Sequence, residues 1–154
     1  MHAVSSHDPS IIVQALRDGW VVPLARPLSG AHDPAALVER LARHGDAMLL
    51  ESGRHHPATG RYSFLVLAPR LQIEGDGRGL RVRHGDGRIE PVTGAPWEAL
   101  ARLTAPYRSR RDAELPPFTG GWAGYLGYEA RQWLERLPQR ASDDLRLPWL
   151  HWGL

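Results

Sequence analysis

Apolar and polar positions divide the chain into segments of different period. Ile11, Ile12, Val13, Leu16, Trp20, Val21 and Val22 form a short apolar lead-in, after which Pro23 and Pro27 hold the chain in extended or turn conformation. A helix is predicted over residues 34–44. Asp33 can cap it, Pro34 takes the first helical position, Leu37, Val38 and Leu41 share a face, and Gly45 stands where a left-handed C-terminal cap belongs. The apolar run Ala47-Met48-Leu49-Leu50 is short enough to favour a strand buried on both faces, and residues 62–68 read as a second.

After Pro69 the pattern alternates. Leu71, Ile73, Leu80, Val82, Ile89 and Val92 are expected on one side, with Gln72, Arg81, Arg83 and Glu90 on the other. Gly75-Asp76-Gly77-Arg78-Gly79 and Gly85-Asp86-Gly87 supply the turns, so this region reads as an antiparallel meander with one wet face. Trp97, Leu100, Leu103 and Tyr107 then recur at helical spacing between Pro96 and Pro106, and a charged loop follows over 108–114. Residues 120–126 form a glycine-rich strand. Ala130, Trp133, Leu134 and Leu137 mark the face of a last helix stopped by Pro138, with a weak Arg131–Glu135 pair outside. The order of elements predicts an α+β fold, a mostly antiparallel sheet with about three packed helices. The terminal Leu147-Pro148-Trp149-Leu150-His151-Trp152-Gly153-Leu154 begins an apolar strand with no turn or polar tail after it. Domains tend to end in exposed polar segments, so this is expected to be the front of a larger protein, with an apolar end that seeks a partner through unpaired backbone.

Composition narrows the function classes. At 154 residues, 42% hydrophobic and 23% charged, the chain has the size and balance of one globular domain, and its longest apolar runs fall far short of the ~20 residues that cross a bilayer. Without cysteine there is no disulfide framework, thiolate metal site or thiol nucleophile, which suits the cytoplasm. The start carries no secretory signal pattern. All 19 basic residues are arginine against 17 acids, so Schiff-base lysines and Walker-type lysines are excluded, and the net charge of +2 indicates no nucleic-acid footprint.

The motif survey removes further chemistry. Gly120, Gly121, Gly124 and Gly127 lack both dinucleotide and P-loop spacing, which leaves close packing as their main use and a ligand wall as the lesser one. His55 and His56 are adjacent and point apart, as in a polar loop, and no metal-binding His pair occurs. Ser52 lacks a nucleophile elbow, and Glu51, Glu74, Glu129, Asp143 and Asp144 form no assignable acid–base pair. The tryptophans are expected as core or interface anchors. One constellation remains: Leu49-Leu50-Glu51-Ser52-Gly53, followed by Arg61-Tyr62-Ser63. Hydroxyl, guanidinium and aromatic ring at one end of a sheet suit a small zwitterion with a ring, although a loop with a satisfied serine explains the same residues.

Read together, Ala47-Met48-Leu49-Leu50-Glu51-Ser52-Gly53, Gly60-Arg61-Tyr62-Ser63-Phe64, Ala68-Pro69, Leu115-Pro116-Pro117-Phe118-Thr119-Gly120-Gly121-Trp122-Ala123-Gly124-Tyr125-Leu126-Gly127-Tyr128-Glu129, Leu134-Glu135-Arg136-Leu137-Pro138 and Asp144-Leu145-Arg146-Leu147-Pro148 resemble the N-terminal region of component I of the chorismate-using synthases. That family holds the anthranilate and aminodeoxychorismate (para-aminobenzoate) synthases. The wording of the His55-His56-Pro57 loop and of the ending after Pro148 looks more like the aminodeoxychorismate branch. The resemblance implies a lead-in over 1–22 and an anthranilate-synthase component I N-terminal-like domain over 23–154. It also implies that chorismate, Mg²⁺ and the catalytic groups belong to a C-terminal chorismate-binding domain outside this chain. This chain then holds no cofactor and no catalytic residue, and does not convert chorismate by itself. Its implied partners are that missing domain, a glutaminase component II acting through the complete enzyme, and an aromatic amino acid such as tryptophan. Leu50, Ser52, Arg61 and Tyr62 match the family's amino-acid pocket.

Overall fold

The computed structural model describes residues 20–21, 23, 29–30, 33–109, 115–138 and 142–154. The first nineteen positions, and with them most of the expected lead-in, lie outside the described residues, as does most of the charged loop after Ser109. The fold is α+β. Its centre is a five-stranded antiparallel sheet of β4 (Leu71–Asp76), β5 (Gly79–His84), β6 (Ile89–Val92), β8 (Ala123–Leu126) and β9 (Leu150–Gly153), in the order β6-β5-β4-β9-β8. A separate antiparallel pair joins β2 (Ala47–Leu50) to β3 (Phe64–Leu67), and β1 (Trp20–Val21) pairs in parallel with β7 (Arg108–Ser109).

Helix α1 (Pro34–Leu41) starts as expected, with the Asp33 side chain accepting from the Ala35 N–H. It ends a turn earlier than expected. Ala42 closes it through its N–H on the Val38 carbonyl, and Gly45 is extended with φ of 159°, not a left-handed cap. Helix α2 (Pro96–Thr104) buries Ala99 and Leu100 against the sheet. The expected last helix is a 3₁₀ helix, Tyr128–Trp133, which leaves Leu134 71% exposed. Ala130 and Trp133 still reach the core side, but Arg131 lies over the Tyr128 ring and, among the described residues, makes no ion pair with Glu135.

Register decides which side chains share a face. Ile73, Leu80, Val82 and Leu150 point into the core with α2, flanked by Trp97, Trp122, Trp133 and Trp152. These four tryptophans are therefore packing anchors, and the Trp133 indole N–H donates to the Asp76 carbonyl at 3.1 Å. Pairing of Leu80 with Val92 and of Val82 with Glu90 puts Glu90 on the core face and leaves Ile89 59% exposed on the other. Ile89 and Val92 thus do not share a face, since residues three apart on a strand have opposite parity. Two further expectations are corrected. The β2–β3 pair is not buried on both faces: Leu50 and Leu67 are 42% and 44% exposed. The second face of the large sheet is not fully wet, because Gln72 is buried where Asp46, at the base of the hairpin, accepts its amide N–H.

The chain end differs most from expectation. Residues 150–153 are not an unfinished edge: β9 pairs with β4 on one side and β8 on the other, and Leu150 is fully buried. Close approach is also where a glycine is needed. A Cβ on Gly124 would stand 1.9 Å from the His151 carbonyl oxygen and 2.8 Å from the Trp152 Cα, so only glycine fits between the two strands.

Candidate functional site

The hairpin carries the sequence-predicted residues at its open end. β2 delivers Leu50 and then Ser52, and the connecting loop returns Arg61 and Tyr62 immediately before β3. Leu50, Ser52, Arg61 and Tyr62 line a single cleft of about 590 Å³, within the ~300–1,000 Å³ range of small-molecule sites. All four predicted residues are therefore brought together. Thr59, Phe64 and Pro117 complete the wall.

Two hydrogen bonds set the cleft floor. The Ser52 hydroxyl donates to the Tyr62 carbonyl at 2.7 Å, and the Ser52 N–H donates to the Ser63 hydroxyl oxygen at 3.1 Å. The serine thus clamps the two ends of the loop, and its hydroxyl oxygen stays available as an acceptor. The loop is further organised by His56, whose Nδ1 accepts from the Ala58 and Thr59 N–H groups. This is the polar-loop role expected of the adjacent histidines. Gly60 is required by contact: a Cβ there would meet the Arg54 carbonyl oxygen at 2.0 Å.

The electrostatics follow from what Arg61 lacks. Its guanidinium sits 5.0 Å from the Tyr62 ring centroid and, among the described residues, has no carboxylate partner. Tyr62 stacks on Phe64 at 6.0 Å, which gives the cleft an aromatic wall, and Phe64 in turn meets Phe118, outside the cleft, edge-on at 5.5 Å. Glu51, an acidic residue, also lines the cleft. Sequence reasoning named Glu51 only as one of several scattered carboxylates and did not select Phe64 or Pro117. Glu51 adjoins Ser52 in the motif, which was the one available signal; Pro117 comes from a distant segment that only the fold brings near.

The glycine-rich segment divides its roles. Gly124 serves close packing, whereas Gly120 and Gly121, with φ of 131° and 121°, line a second cavity on the other side of the Phe64–Phe118 contact. Among the described residues no three His, Asp or Glu side chains converge as a metal-binding group, and no helix is long and apolar enough to cross a membrane.

No protein-family model matches the chain. Curated relatives do. Anthranilate synthase component 1 of Cereibacter sphaeroides is 34% identical over 145 residues, covering 88% of this chain and 29% of its own length. The protein of the same name from Acetivibrio thermocellus is 30% identical over 136 residues, covering 88% of this chain and 28% of its own. An anthranilate synthase component I-like protein of Synechocystis is 31% identical over 137 residues, covering 82% and 25%. The chain thus spans 25–29% of the length of these relatives. The resemblance to the N-terminal region of component I of the chorismate-using synthases holds over most of the chain.

Proposed function

We propose that this chain, a homologue of anthranilate synthase component 1 over most of its length, is the amino-acid-binding portion of a chorismate-aminating synthase, with Leu50, Ser52, Arg61 and Tyr62 holding a free aromatic amino acid such as tryptophan. The observation that carries the reading is an Arg61 guanidinium that lies over the Tyr62 ring with no carboxylate partner among the described residues, in a cleft lined also by Phe64 and Glu51. An α-carboxylate suits Arg61, an ammonium suits Glu51 and the hydroxyl oxygen of Ser52, and an indole suits the two rings. In this reading chorismate, Mg²⁺ and the catalytic acid–base groups lie in a region outside the chain, and ammonia comes from a glutaminase component II.

The names of the relatives support the anthranilate branch, and with it tryptophan synthesis. The His55-His56-Pro57 loop and the segment after Pro148 support the aminodeoxychorismate branch, and with it para-aminobenzoate synthesis. Complementation separates the two: a complete synthase carrying this segment relieves a tryptophan requirement in the first case and a para-aminobenzoate requirement in the second.

Calorimetry tests the pocket. Tryptophan is expected to bind more tightly than phenylalanine, and alanine not measurably. Arg61→Gln should weaken tryptophan by about 1.5–3 kcal/mol, the worth of a hydrogen bond to a charged group. Equal binding of alanine, or an unchanged affinity in Arg61→Gln and Ser52→Leu, would show the assignment to be wrong.

A further inference from the structure

We propose that the cavity between the β2–β3 hairpin and the polar face of the five-stranded sheet is a second ligand site, which takes a primary ammonium carried on a one-ring apolar body. It does not depend on the amino-acid cleft. The two share no lining residue, although Phe64 of the cleft touches Phe118 of the cavity.

The cavity holds about 270 Å³, whereas an apolar cavity of roughly 150 Å³ already admits benzene. Met48, Val66, Pro69 and Phe118 provide apolar wall, and Asp46, Gln72 and His151 are its polar side chains. Gln72 is largely engaged: one amide N–H donates to Asp46 Oδ2 and its carbonyl accepts from Arg83, which leaves its second amide N–H. Arg83 also stands 3.5 Å from the same Asp46 oxygen. Asp46 Oδ1 therefore remains as an acceptor.

His151 is held from two sides. Its Nδ1 lies 3.4 Å from Glu74 Oε1, and the Tyr125 ring stacks on it at 6.1 Å with an interplanar angle of 14°. The carboxylate draws the ring proton of the neutral imidazole to Nδ1, so Nε2 presents a lone pair. Glu74 is in turn held by Arg81, whose Nη2 lies 2.8 Å from Oε2 and which also bridges to Asp76. The lining side chains thus offer two acceptors, Asp46 Oδ1 and the imidazole Nε2, against one spare donor, the second Gln72 N–H. A ligand that satisfies both must bring N–H groups, and a positive charge complements Asp46. The apolar wall takes the rest of the molecule.

The test titrates the 154-residue chain with 2-phenylethylammonium, with 3-phenylpropionate as the anionic control, at a pH above the ordinary imidazole range. Saturable binding of the amine is expected, with the anion weaker by about tenfold or more. Asp46→Asn, and His151→Phe, which keeps the stack on Tyr125, should each weaken the amine about fivefold or more, while Arg61→Gln and saturating tryptophan leave it unchanged. Because Asp46→Asn also touches the hairpin's link to Gln72, each variant is checked by amide NMR dispersion, and Val66→Phe fills the cavity with Asp46 intact and should block the amine. Absence of saturable binding, equal binding of the anion, competition by tryptophan, or unchanged binding in folded Asp46→Asn or Val66→Phe would overturn the proposal.

Discussion

Single residues matter most here where one atom has nowhere else to go. Gly124 is such a position, because a methyl group would collide with backbone of β9, which cannot swing aside as a side chain could. Gly124→Ala is therefore expected to lower the unfolding free energy by about 1–3 kcal/mol or more, measured by urea denaturation. Tyr125, one residue along and on the opposite face, carries a pH dependence. Partial burial, and secondly the negative charge of Glu74, hold its phenol above the ordinary tyrosine range. A phenol with a raised pKa favours the folded state while protonated. Its contribution is complete below the unfolded value of ~10 and is lost as pH rises through the folded value. Denaturation profiles into the alkaline range should show a decline that is shallower in Tyr125→Phe; an identical decline would remove Tyr125 as its source. The residue types at the candidate cleft were legible from sequence because Ser52, Arg61 and Tyr62 sit in compact local motifs. The bond from the Ser52 hydroxyl to the Tyr62 carbonyl was not, since it depends on how a ten-residue connection folds back.

At the scale of elements, agreement followed local chemistry. Helix α1 has its start written in Asp33-Pro34, and the meander β4–β5–β6 has its turns written in glycine and aspartate: Asp76 Oδ1 accepts the Arg78 N–H, and Asp86 Oδ1 the Arg88 N–H. Disagreement arose where partners from elsewhere compete. The last helix tightened to 3₁₀ as Trp133 was drawn to the Asp76 carbonyl and to edge-on contact with Trp97 at 5.7 Å. Ion pairs on the exposed part of the sheet add little: Arg81 bridges Glu74 and Asp76 with 43% of its side chain in solvent, a setting worth about 0–1 kcal/mol per pair. Helix α2 offers a clearer gain. Its N-cap, Ala95, is extended and makes no side-chain bond. Ala95→Asp should supply the missing acceptor and raise stability by about 0.5–2 kcal/mol in thermal or urea unfolding; no change would mean that the Asp side chain does not reach the free N–H groups.

For the whole molecule the decisive feature is that the last strand in sequence lies second in the sheet, between β4 and β8. Leu150→Ala removes a fully buried side chain and is expected to cost about 2–5 kcal/mol, and removal of residues 150–154 should abolish cooperative unfolding by circular dichroism. A truncated chain that still melts cooperatively would contradict the architecture. The sequence by itself determined the class of fold, the turns of the meander, the first helix start and the local motifs that supply four of the residues lining the candidate cleft, because each rests on periodicity, turn chemistry or a contiguous motif. Tertiary structure alone decided that Leu150–Gly153 is a central strand and not an exposed end, that Gln72 is buried beneath the hairpin, and that Glu74, Tyr125 and His151 meet beside a cavity. These are pairings between residues 24 to 81 positions apart in the chain. No local pattern records a register between distant strands, because it is set only when their hydrogen bonds and side chains compete for the same neighbours in space.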